Sequence, residues 1–453
     1  MRAILPKCLP LLAQNCPCPL YVVGGSVRDF LADMTPTSRD WDICAPLSAD
    51  QLVTAAEQSG FTVKAVYRNT GTVKLRDEDG VDYEYSSFRS DKYVRGTHVP
   101  VEIFFTDDIT LDARRRDFTA NAVYYDIGND CFVDPLGGIA AISEKRFTAV
   151  NYADKVFGED GLRLMRLARQ SAQTGFSPDE ECLRGATQNA SLIADITPER
   201  IFTELTAILA ADEKYGVPDG AYHGLHLLDD IGVLAAILPE LALGKGMAQR
   251  ADFHKYDVLE HSFRAVKYAD KSIRLAALLH DIGKPFCKLR DGNSYEHPTE
   301  GERLAKEALT RLKAPKKVTV RVCALVRWHM YDFDCRVGDN KLRRFFVEQY
   351  DILDELLLLK QADFSACTDD LSIAPTCARW QTVLAEMRAQ NTPITLKQLA
   401  VNGAELLEIG VIPCHISELL RRLLLHVAVQ PSDNEKSRLL RLAYGFEKEL
   451  NRK

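Results

Sequence analysis

A short segment near the N-terminus combines a turn that can hold an anion with side chains that can neutralise it. Residues 20–23 form an apolar run that predicts a buried strand. The run ends at Gly24-Gly25, where the lack of a Cβ lets the backbone approach a phosphate. Ser26 is placed to cap the helix that follows, and Arg28 offers a guanidinium fork that matches phosphate oxygens. The segment therefore predicts a phosphate-binding turn between a strand and a helix.

Two aspartates follow this turn on a second predicted strand. Asp40 and Asp42 are two residues apart, so both carboxylates face the same side of that strand. Glu84 lies on another predicted strand, after the hairpin signal Asp79-Gly80, and can complete a metal site or deprotonate an attacking hydroxyl. A phosphate cradle beside paired carboxylates is what two-metal nucleotidyl transfer requires. The N-terminal region therefore predicts that chemistry.

A third pattern places a carboxylate and arginines at helical spacing. Asp160 and Arg163 are three residues apart on a predicted helix and share one face, which Arg166 and Arg169 continue. A carboxylate and a guanidinium held side by side offer acceptors and donors in one plane, so they can imitate the hydrogen-bonding edge of a template base. Gly161 has a low helix propensity, which predicts a more mobile turn at this position.

Imidazole and carboxylate groups recur in the second half of the chain. The candidate ligands are His261, His280, Asp281, His297, His329 and Asp363. The pair His280-Asp281 ends an apolar run, and Gly283 then interrupts the helix. These side chains are good ligands for Mn, Ni, Fe or Zn. A metal centre separate from the N-terminal carboxylates is therefore expected.

The composition is that of a globular protein with no membrane span. The chain has 453 residues, of which 46% are hydrophobic and 27% are charged, and it has no run of eighteen apolar residues. Its twelve cysteines follow no disulfide framework, and no signal-peptide pattern is present, so we expect reduced thiols and a cytoplasmic protein. The net charge of −7 argues against indiscriminate nucleic-acid binding and leaves an RNA partner to local basic patches.

The predicted elements divide the chain into a mixed N-terminal part and a long helical part. Strands are predicted over 72–75, 83–88 and 99–105, whereas helical periodicity dominates from about residue 140. The expected fold class is therefore α+β. We predict a head over 1–139, a helical neck over 140–215, a helical body over 216–370 and a helical tail over 371–453.

The head motifs resemble a known enzyme family. The pattern GGxVRD followed by DxD resembles DNA polymerase β-like nucleotidyltransferases, in the form seen in class II tRNA nucleotidyltransferases and bacterial poly(A) polymerases. The resemblance implies that Asp40 and Asp42 hold two Mg²⁺ ions, and that Gly24, Gly25 and Arg28 position phosphates. Residues 115–121 resemble the RRDFTxNA motif of the family, which implies that Arg116 binds the phosphates or sugar of the nucleotide and that Asp117 lies near its ribose.

The helical part resembles the same family. Residues 159–169 resemble the EDxxRxxRxxR motif, which implies that Asp160, Arg163, Arg166 and Arg169 choose CTP and ATP without a nucleic-acid template. The imidazole and carboxylate residues resemble an HD phosphohydrolase domain. That likeness implies a metal site made by His261, His280, Asp281 and Asp363, with His297 and His329 as ligands of a second ion. Residues 397–413 and 416–424 resemble the C-terminal segment of bacterial tRNA nucleotidyltransferases that carry an HD domain.

These likenesses cover nearly the entire chain and imply one function with defined alternatives. The implied activity is the addition of C, C and A to the 3′ end of tRNA from CTP and ATP, with the body and tail gripping the tRNA. A bacterial poly(A) polymerase, or an enzyme that adds only CC or only A, is the first alternative. The others are a protein whose main activity is that of an HD metal-dependent phosphohydrolase acting on RNA ends, with the head as an RNA-binding module, and a non-catalytic RNA-binding protein. The intact pair Asp40 and Asp42 argues against both, whereas an additional HD phosphohydrolase activity beside nucleotide addition stays compatible with it.

Overall fold

A computed structural model describes residues 1–95 and 100–450, which fall into two units. Unit 1 comprises Met1–Leu243 and Ala308–Ala314, and unit 2 comprises Gly244–Glu307 and the chain from Pro315 onward. The finer division into head, neck, body and tail stays a prediction. Within the described residues, none of the helices combines the length and the apolar composition that crossing a lipid bilayer requires.

The strands lie in unit 1, and most of them build one mixed sheet. They are β1 (Tyr21–Val23), β2 (Trp41–Ala45), β3 (Thr62–Tyr67), β4 (Thr72–Arg76), β5 (Asp82–Ser87), β6 (Arg89–Lys92), β7 (Glu102–Phe105), β8 (Tyr124–Asp126), β9 (Cys131–Val133), β10 (Arg146–Phe147) and β11 (Ser177–Pro178). The seven-stranded sheet has the order β3-β4-β5-β2-β1-β8-β9. Strand β2 pairs with β5 in parallel, and its other neighbour, β1, is antiparallel.

The predicted strands are present with adjusted ends. The hairpin signal at Asp79-Gly80 joins the antiparallel strands β4 and β5, and Gly80 has a φ of 83°. The strand predicted over 99–105 is β7, which spans Glu102–Phe105, and Val99 lies outside the described residues. Strands β3, β6, β8, β9, β10 and β11 were not predicted. The head is therefore mixed α/β, as expected.

Helices cover the rest of unit 1. They are α1 (Cys8–Asn15), α2 (Gly25–Leu31), α3 (Ala49–Gln58), α4 (Ile109–Arg114), α5 (Gly138–Ser143), α6 (Ala153–Glu159), α7 (Leu162–Thr174), α8 (Glu180–Asn189), α9 (Pro198–Leu209), α10 (Ala211–Tyr215), α11 (Gly220–Asp230), α12 (Val233–Ile237) and α13 (Pro239–Ala242). One buried cluster contains side chains from β1, β2, β8 and α6, among them Val23, Cys44, Tyr124 and Val156. The sheet is thereby fixed to the helices that follow it.

Unit 2 is helical throughout its described residues. Its helices are α14 (Val258–Tyr268), α15 (Arg274–Leu279), α16 (Gly283–Asp291), α17 (His297–Arg311, of which residues up to 307 fall in this unit), α18 (Lys316–Trp328), α19 (Asp339–Glu348), α20 (Leu353–Thr368), α21 (Pro375–Ala389), α22 (Gly403–Glu408), α23 (Ile416–Val429) and α24 (Lys436–Leu450). The prediction of an α+β protein with a mixed head and a helical remainder is confirmed. The exception to the helical remainder is the two-residue parallel pair β10–β11.

Candidate active site and metal centre

The central strands of the sheet place a carboxylate beside the glycine turn. Val23 pairs with Asp42 across β1 and β2, and Asp42 pairs with Glu84 across β2 and β5. Gly24 follows Val23 with a φ of 80°, and a Cβ there would lie 3.1 Å from Asp42 Oδ2. Burial raises the pKa of Asp42 to about 6, and the like charges of Glu84 and Asp40 contribute, although Arg116 opposes the shift. The position concentrates negative charge, as a cation site does.

Asp40 differs from its predicted position. Strand β2 begins at Trp41, so Asp40 lies just before the strand, and its side chain is 79% exposed. Ser26 explains part of this geometry. It does not cap α2, because the N-cap is Gly24, and its hydroxyl instead donates to the Asp40 carbonyl at 2.6 Å. Asp40 Oδ2 also lies 3.0 Å from the ammonium of Lys214. The two aspartates therefore share one side of the site but not one strand.

Glu84 faces the same side of the sheet as Asp42, because residues paired in register share a face. Its carboxylate is 55% exposed and lies 3.7 Å from Lys74 Nζ. Glu84 is not among the residues that line the cavity described below. Its role as a third catalytic carboxylate stays a prediction.

A cavity of about 370 Å³ opens next to the two aspartates. Its wall contains every residue predicted to hold the nucleotide or its metal ions, apart from Glu84: Gly24, Gly25, Arg28, Asp40, Asp42, Arg116, Asp117, Asp160, Arg163, Arg166 and Arg169. The wall is predominantly polar and rich in arginine, which suits a triphosphate. The structure therefore brings the predicted nucleotide residues together around one space.

Arg28 is buried at the base of this cavity and is fully engaged with the protein. Its Nη2 lies 2.7 Å from Asp29 Oδ1, and its Nη1 donates to Asn121 Oδ1 at 2.9 Å and to Gln170 Oε1 at 3.2 Å. Nη2 also donates to the hydroxyl of Tyr215 at 3.0 Å. Arg28 thus links the turn to three other segments of unit 1, which supports a positioning role beside its predicted contact with phosphate.

Asp117 is the centre of a buried hydrogen-bond network. Its Oδ2 accepts two bonds from Arg166, at 2.9 Å from Nε and 2.6 Å from Nη2. Gln170 also donates to Oδ2 at 3.1 Å, and Asn121 donates to Oδ1 at 2.9 Å. Burial alone would raise the pKa of Asp117, but Arg166 and these hydrogen bonds hold it well below its usual range. The charged carboxylate is fixed at the cavity wall, where it can accept hydrogen bonds from hydroxyl groups.

Asp112 holds the neighbouring arginines, and the sequence analysis missed it. Its carboxylate is fully buried and lies 2.7 Å from Arg115 Nε and 2.9 Å from Arg116 Nη2. Tyr124 donates to Asp112 at 2.7 Å. The signal available in the sequence was the spacing: an aspartate three and four residues before paired arginines on a helix. Asp112 therefore sets the position of Arg116 in the cavity wall.

The predicted helix that joins Asp160 to Arg163 is interrupted, so that prediction is wrong in its geometry. Helix α6 ends at Glu159, Asp160 has extended backbone, and α7 begins at Leu162. Asp160 Oδ1 accepts from Leu162 N at 2.9 Å. Gly161 packs on another part of the chain, because a Cβ there would lie 2.6 Å from the Leu192 carbonyl oxygen. A residue with a side chain cannot occupy this turn without displacing that backbone.

Arg163 is held by groups other than Asp160. Its Nη1 donates to Val156 O at 2.8 Å and lies 3.2 Å from Glu159, and its Nη2 donates to Arg115 O at 2.6 Å. The side chain is nonetheless part of the cavity wall, together with Asp160. The two residues meet at the cavity through the end of one helix and the start of the next.

The rest of the arginine stripe lies on α7 as predicted. Arg166 pairs with Asp117, and Arg169 Nε lies 2.6 Å from Glu204 Oε2 on α9. The cavity wall also contains Arg200, Lys214 and Tyr215, which the sequence analysis did not select. Their distance in sequence from the head motifs left no local spacing that could have indicated them.

Unit 2 contains a second cluster, in which all six predicted HD ligands meet. His261, His280 and Asp363 form one group, Asp281, His297 and His329 form another, and within each group the candidate ligand atoms lie within 4.8 Å of one another. Asp281 connects the groups, because its Oδ2 lies 3.2 Å from His280 Nε2 and its Oδ1 lies 3.3 Å from His297 Nε2. His254 and Cys367, which were not predicted, lie next to His261 in the same way.

The histidines of this cluster have the orientation that metal ligands need. Nδ1 of His280 lies 2.7 Å from Ala277 O, Nδ1 of His297 lies 2.6 Å from Ser294 O, and Nδ1 of His329 lies 2.7 Å from Val326 O. Donation from Nδ1 to a carbonyl leaves Nε2 as the nitrogen available to a metal ion, and the Nε2 atoms face the cluster. Burial alone would raise the pKa of Asp281, but the positive charges of His280 and Lys284 hold this pKa well below the usual range. This donor set fits a pair of divalent ions.

Comparison with known proteins matches three segments of the chain to described domains. Residues 20–148 match the poly A polymerase head domain, residues 175–243 match the probable RNA and SrmB-binding site of polymerase A, and residues 257–364 match the HD domain. The A-adding tRNA nucleotidyltransferase of Deinococcus radiodurans is 32% identical over 76% of this chain and 76% of its own length. The CC-adding tRNA nucleotidyltransferase of Thermus thermophilus is 29% identical over 76% of this chain and 75% of its own length.

A solved structure has the same fold. The Bacillus stearothermophilus CCA-adding enzyme, determined in complex with CTP, matches with a TM-score of 0.67 and 22% identity, over 99% of this chain and 100% of that one. The mixed head with its carboxylates and arginine-lined cavity defines a nucleotidyltransferase. More specifically, the chain belongs to the family of tRNA nucleotidyltransferases and poly(A) polymerases, and it carries an HD domain.

Membership of this family implies dependence on divalent metal ions, and the residues present fit such ions at two places. In unit 1, Asp42 and Asp40 accumulate negative charge beside a turn that a Cβ would obstruct. In unit 2, imidazole nitrogens and carboxylates converge within 4.8 Å. Oxygen ligands suit Mg²⁺, whereas mixed nitrogen and oxygen ligands suit transition metals.

Proposed function

We propose that this enzyme adds C, C and A to the 3′ end of tRNA from CTP and ATP, releasing pyrophosphate and working without a nucleic-acid template. The observation that carries the proposal is the cavity of unit 1 that both aspartates and the arginine stripe of α7 line. The likeness to relatives that add A, CC or CCA supports a tRNA substrate. One cavity with one pair of carboxylates suits repeated addition steps at a single site.

Asp40 and Asp42 would hold two Mg²⁺ ions. When bound, such ions lower the pKa of the tRNA 3′-hydroxyl and stabilise the negative charge of the leaving pyrophosphate. The chain itself positions the nucleotide: Gly24 and Gly25 leave room for its phosphates, and Arg116 supplies a guanidinium that Asp112 fixes. Arg28 holds the turn in place through its bonds to Asp29 and Asn121.

Selection of the base is assigned to the part of the cavity wall near the start of α7. Asp160 and Arg163 offer an acceptor and donors at the junction of α6 and α7. Arg166 and Asp117 form a fixed pair in the same cavity wall, and Asp117 is placed to accept hydrogen bonds from the ribose hydroxyls. Arg169 and Glu204 tie this wall to α9, which keeps the stripe in position. Glu84 is proposed as an additional catalytic carboxylate on the basis of its register with Asp42.

The HD cluster is proposed as a second metal centre with phosphohydrolase activity on RNA ends. His261, His280, Asp281 and Asp363 would hold one transition metal ion, of Mn, Ni, Fe or Zn, and His297 and His329 would help to hold a second. The convergence of six buried or half-buried ligand side chains supports this activity. The imidazoles are oriented before any ion arrives, because their Nδ1 atoms are already bonded.

The tRNA is assigned to the helical segments. The match of residues 175–243 to an RNA-binding segment supports a neck that contacts RNA, and the proposed body over 216–370 and tail over 371–453 would extend the grip by shape and phosphate contacts. The proposed location is the cytoplasm, which agrees with twelve free cysteines. The proposed substrates are tRNA, CTP and ATP.

The test is incorporation of labelled nucleotides into tRNA that lacks its terminal CCA, with CTP and ATP supplied separately and together. Full CCA addition predicts two C residues with CTP alone and a completed end with both. A CC-adding enzyme stops after CTP, and an A-adding enzyme acts only on tRNA that already ends in CC. Long A tails on any RNA would instead indicate a poly(A) polymerase, and Asp42→Asn serves as the inactive control.

A further inference from the structure

Lys214 reaches the catalytic region from the RNA-binding segment of the sequence. It lies on α10, and its Nζ is 3.0 Å from Asp40 Oδ2. The ammonium is a quarter exposed and forms part of the cavity wall. Residue 214 falls within the region that matches the RNA-binding family segment. A cation supplied by the helical region thus sits on a carboxylate that is expected to hold metal.

The position of Lys214 is set by its neighbours. Its carbonyl oxygen accepts a hydrogen bond from Thr37 N at 2.9 Å, which ties α10 to the loop before β2. The next residue, Tyr215, donates to Asp29 Oδ2 at 2.8 Å and accepts from Arg28. Adjacent residues of α10 therefore hold two segments: Tyr215 holds the helix that follows the glycine turn, and Lys214 holds the loop that leads to Asp40. The contact between Lys214 and Asp40 is a consequence of this anchoring.

Lys214 differs from the arginines of the cavity wall in the identity of its partner. The five arginines of the wall that were predicted to hold the nucleotide pair with carboxylates that belong to no proposed metal site: Arg28 with Asp29, Arg116 with Asp112, Arg163 with Glu159, Arg166 with Asp117 and Arg169 with Glu204. Lys214 pairs with Asp40. A carboxylate uses the same oxygens for an ammonium and for a divalent ion, so an ion at Asp40 competes with this lysine and leaves the others paired.

We infer that Lys214 exchanges partners during the reaction cycle. It neutralises Asp40 while the carboxylate is free of metal, and it turns to the phosphates of the bound nucleotide or pyrophosphate when a metal ion takes Asp40. An ammonium on a flexible stem suits this exchange, because it binds phosphate as a point charge without fixed geometry. The inference rests on the proposed assignment of Asp40 as a metal ligand for nucleotidyl transfer.

The primary test compares Lys214→Gln with Lys64→Gln, which removes an exposed lysine of β3 in the same unit. Binding of Mn²⁺ is followed by electron paramagnetic resonance, and the signal missing in Asp42→Ala identifies the ions of unit 1. Lys214→Gln should bind these ions about threefold to tenfold more tightly, because a competing cation is gone. In isothermal titration with Mg²⁺ present, the same variant should bind pyrophosphate about threefold to tenfold more weakly.

The opposite signs of the two effects separate exchange from a structural role. Tyr215→Phe removes the adjacent hydrogen bonds to Asp29 and Arg28, and it should lower thermal stability without tightening Mn²⁺ binding. Lys214→Arg keeps the charge and should stay near wild type in both titrations. Unchanged Mn²⁺ affinity in Lys214→Gln, or weaker binding of both ligands, would overturn the inference.

A second measurement uses the unaltered protein and so does not depend on the folding of a variant. Reductive methylation with formaldehyde, read by peptide mass spectrometry, should label Lys214 faster when Mg²⁺ is added, and pyrophosphate with Mg²⁺ should slow it again. Lys64 is the internal reference. If the rate of labelling at Lys214 does not change when Mg²⁺ is added, the exchange of partners is contradicted. Neither measurement needs tRNA, so failure of CCA addition with these results intact would overturn the proposed function alone.

Discussion

The carboxylate centre of unit 1 and the HD cluster of unit 2 hold their candidate ligands in different ways. In the HD cluster the ligands are largely buried, and three histidines are oriented by carbonyl groups of their own helices or turns. In unit 1, Asp40 is 79% exposed and is paired with a lysine from a distant helix. A closed, oriented ligand set suits ions that stay with the protein, whereas an open one suits ions that arrive with a nucleotide and leave with pyrophosphate.

The largest effect is expected at the open centre. Asp42→Ala and Asp40→Ala should each lower incorporation of both C and A by about a thousandfold or more, because one metal site serves every addition step. Folding should survive, since burial and neighbouring carboxylates already disfavour the charge of Asp42. Incorporation of each nucleotide and a thermal melt of the same preparation check this. Loss of A addition alone would contradict a single shared centre.

The closed centre should lose its metal without loss of nucleotide addition. His280→Ala or Asp281→Ala should remove the bound transition metal and any phosphatase or phosphodiesterase activity, and some thermal stability should go with them. Metal content by mass spectrometry and CCA incorporation are measured on the same sample. His415→Ala, a histidine of unit 2 outside the cluster, is the matched control. A folded variant that no longer adds CCA would show that the two centres are coupled.

A smaller effect, on stability, is expected from the carboxylate that holds the arginines of the open centre. Burial opposes ionisation of Asp112, but Arg116, Arg115 and Tyr124 hold its pKa at about 2. Because this pKa is below the ordinary 3.8, Asp112 stabilises the fold above about pH 4, and the stabilisation disappears as the pH falls through 2. Asp112→Asn should therefore cost about 2 kcal/mol of unfolding free energy at pH 7.

Urea unfolding at pH 7 and at pH 3 checks this prediction, with the exposed Asp82→Asn as control. The difference between wild type and Asp112→Asn should shrink at the lower pH. Asp112→Asn should also lower the rate of nucleotide addition about tenfold, because Arg116 loses its fixed position. Equal differences at both pH values would mean that charge at Asp112 is not the source of the stabilisation.

The smallest change in rate is expected at the base-selecting wall. Asp160→Ala should relax the choice among CTP, ATP, UTP and GTP about tenfold while it lowers the rate with the correct nucleotide less. Arg163→Ala should relax the choice of nucleotide and also lower the rate with the correct nucleotide, because its guanidinium donates hydrogen bonds to Val156 O and Arg115 O. Steady-state kinetics with the four nucleotides decide this. If Asp160→Ala lowers the rates with all four nucleotides equally, Asp160 does not take part in base selection.

The sequence predicted both centres because their ligands are chemically distinctive, some of them are locally spaced, and the resemblance to known families implied the rest. Asp40 and Asp42 lie at the start of β2, and the pair His280-Asp281 directly follows the apolar helix α15, so their placement follows from the adjacent element. The α+β class and the hairpin at Gly80 also follow from local patterns. In such cases the structure adds geometry to an assignment that short-range spacing already supports.

Contacts between distant segments could not be predicted in this way. Lys214 meets Asp40 across 174 residues of sequence. Asp160 lies between two helices, where Gly161 packs against the carbonyl of Leu192, a contact that helical periodicity does not reveal. Ser26 looked like a cap, but the loop before β2 provides its hydroxyl with a better acceptor in Asp40 O. Each error arose where tertiary contact overrode a local preference.

The carbonyl groups that orient His280, His297 and His329 have a consequence for inheritance. A main-chain oxygen is present whichever residue occupies the position, so no single substitution at 277, 294 or 326 deletes the acceptor itself. The acceptors that orient these histidines therefore depend on the backbone conformation, and they can be retained while the residues around them change. The ammonium that pairs with Asp40 belongs to a side chain, so one nucleotide change in the codon of Lys214 can remove it.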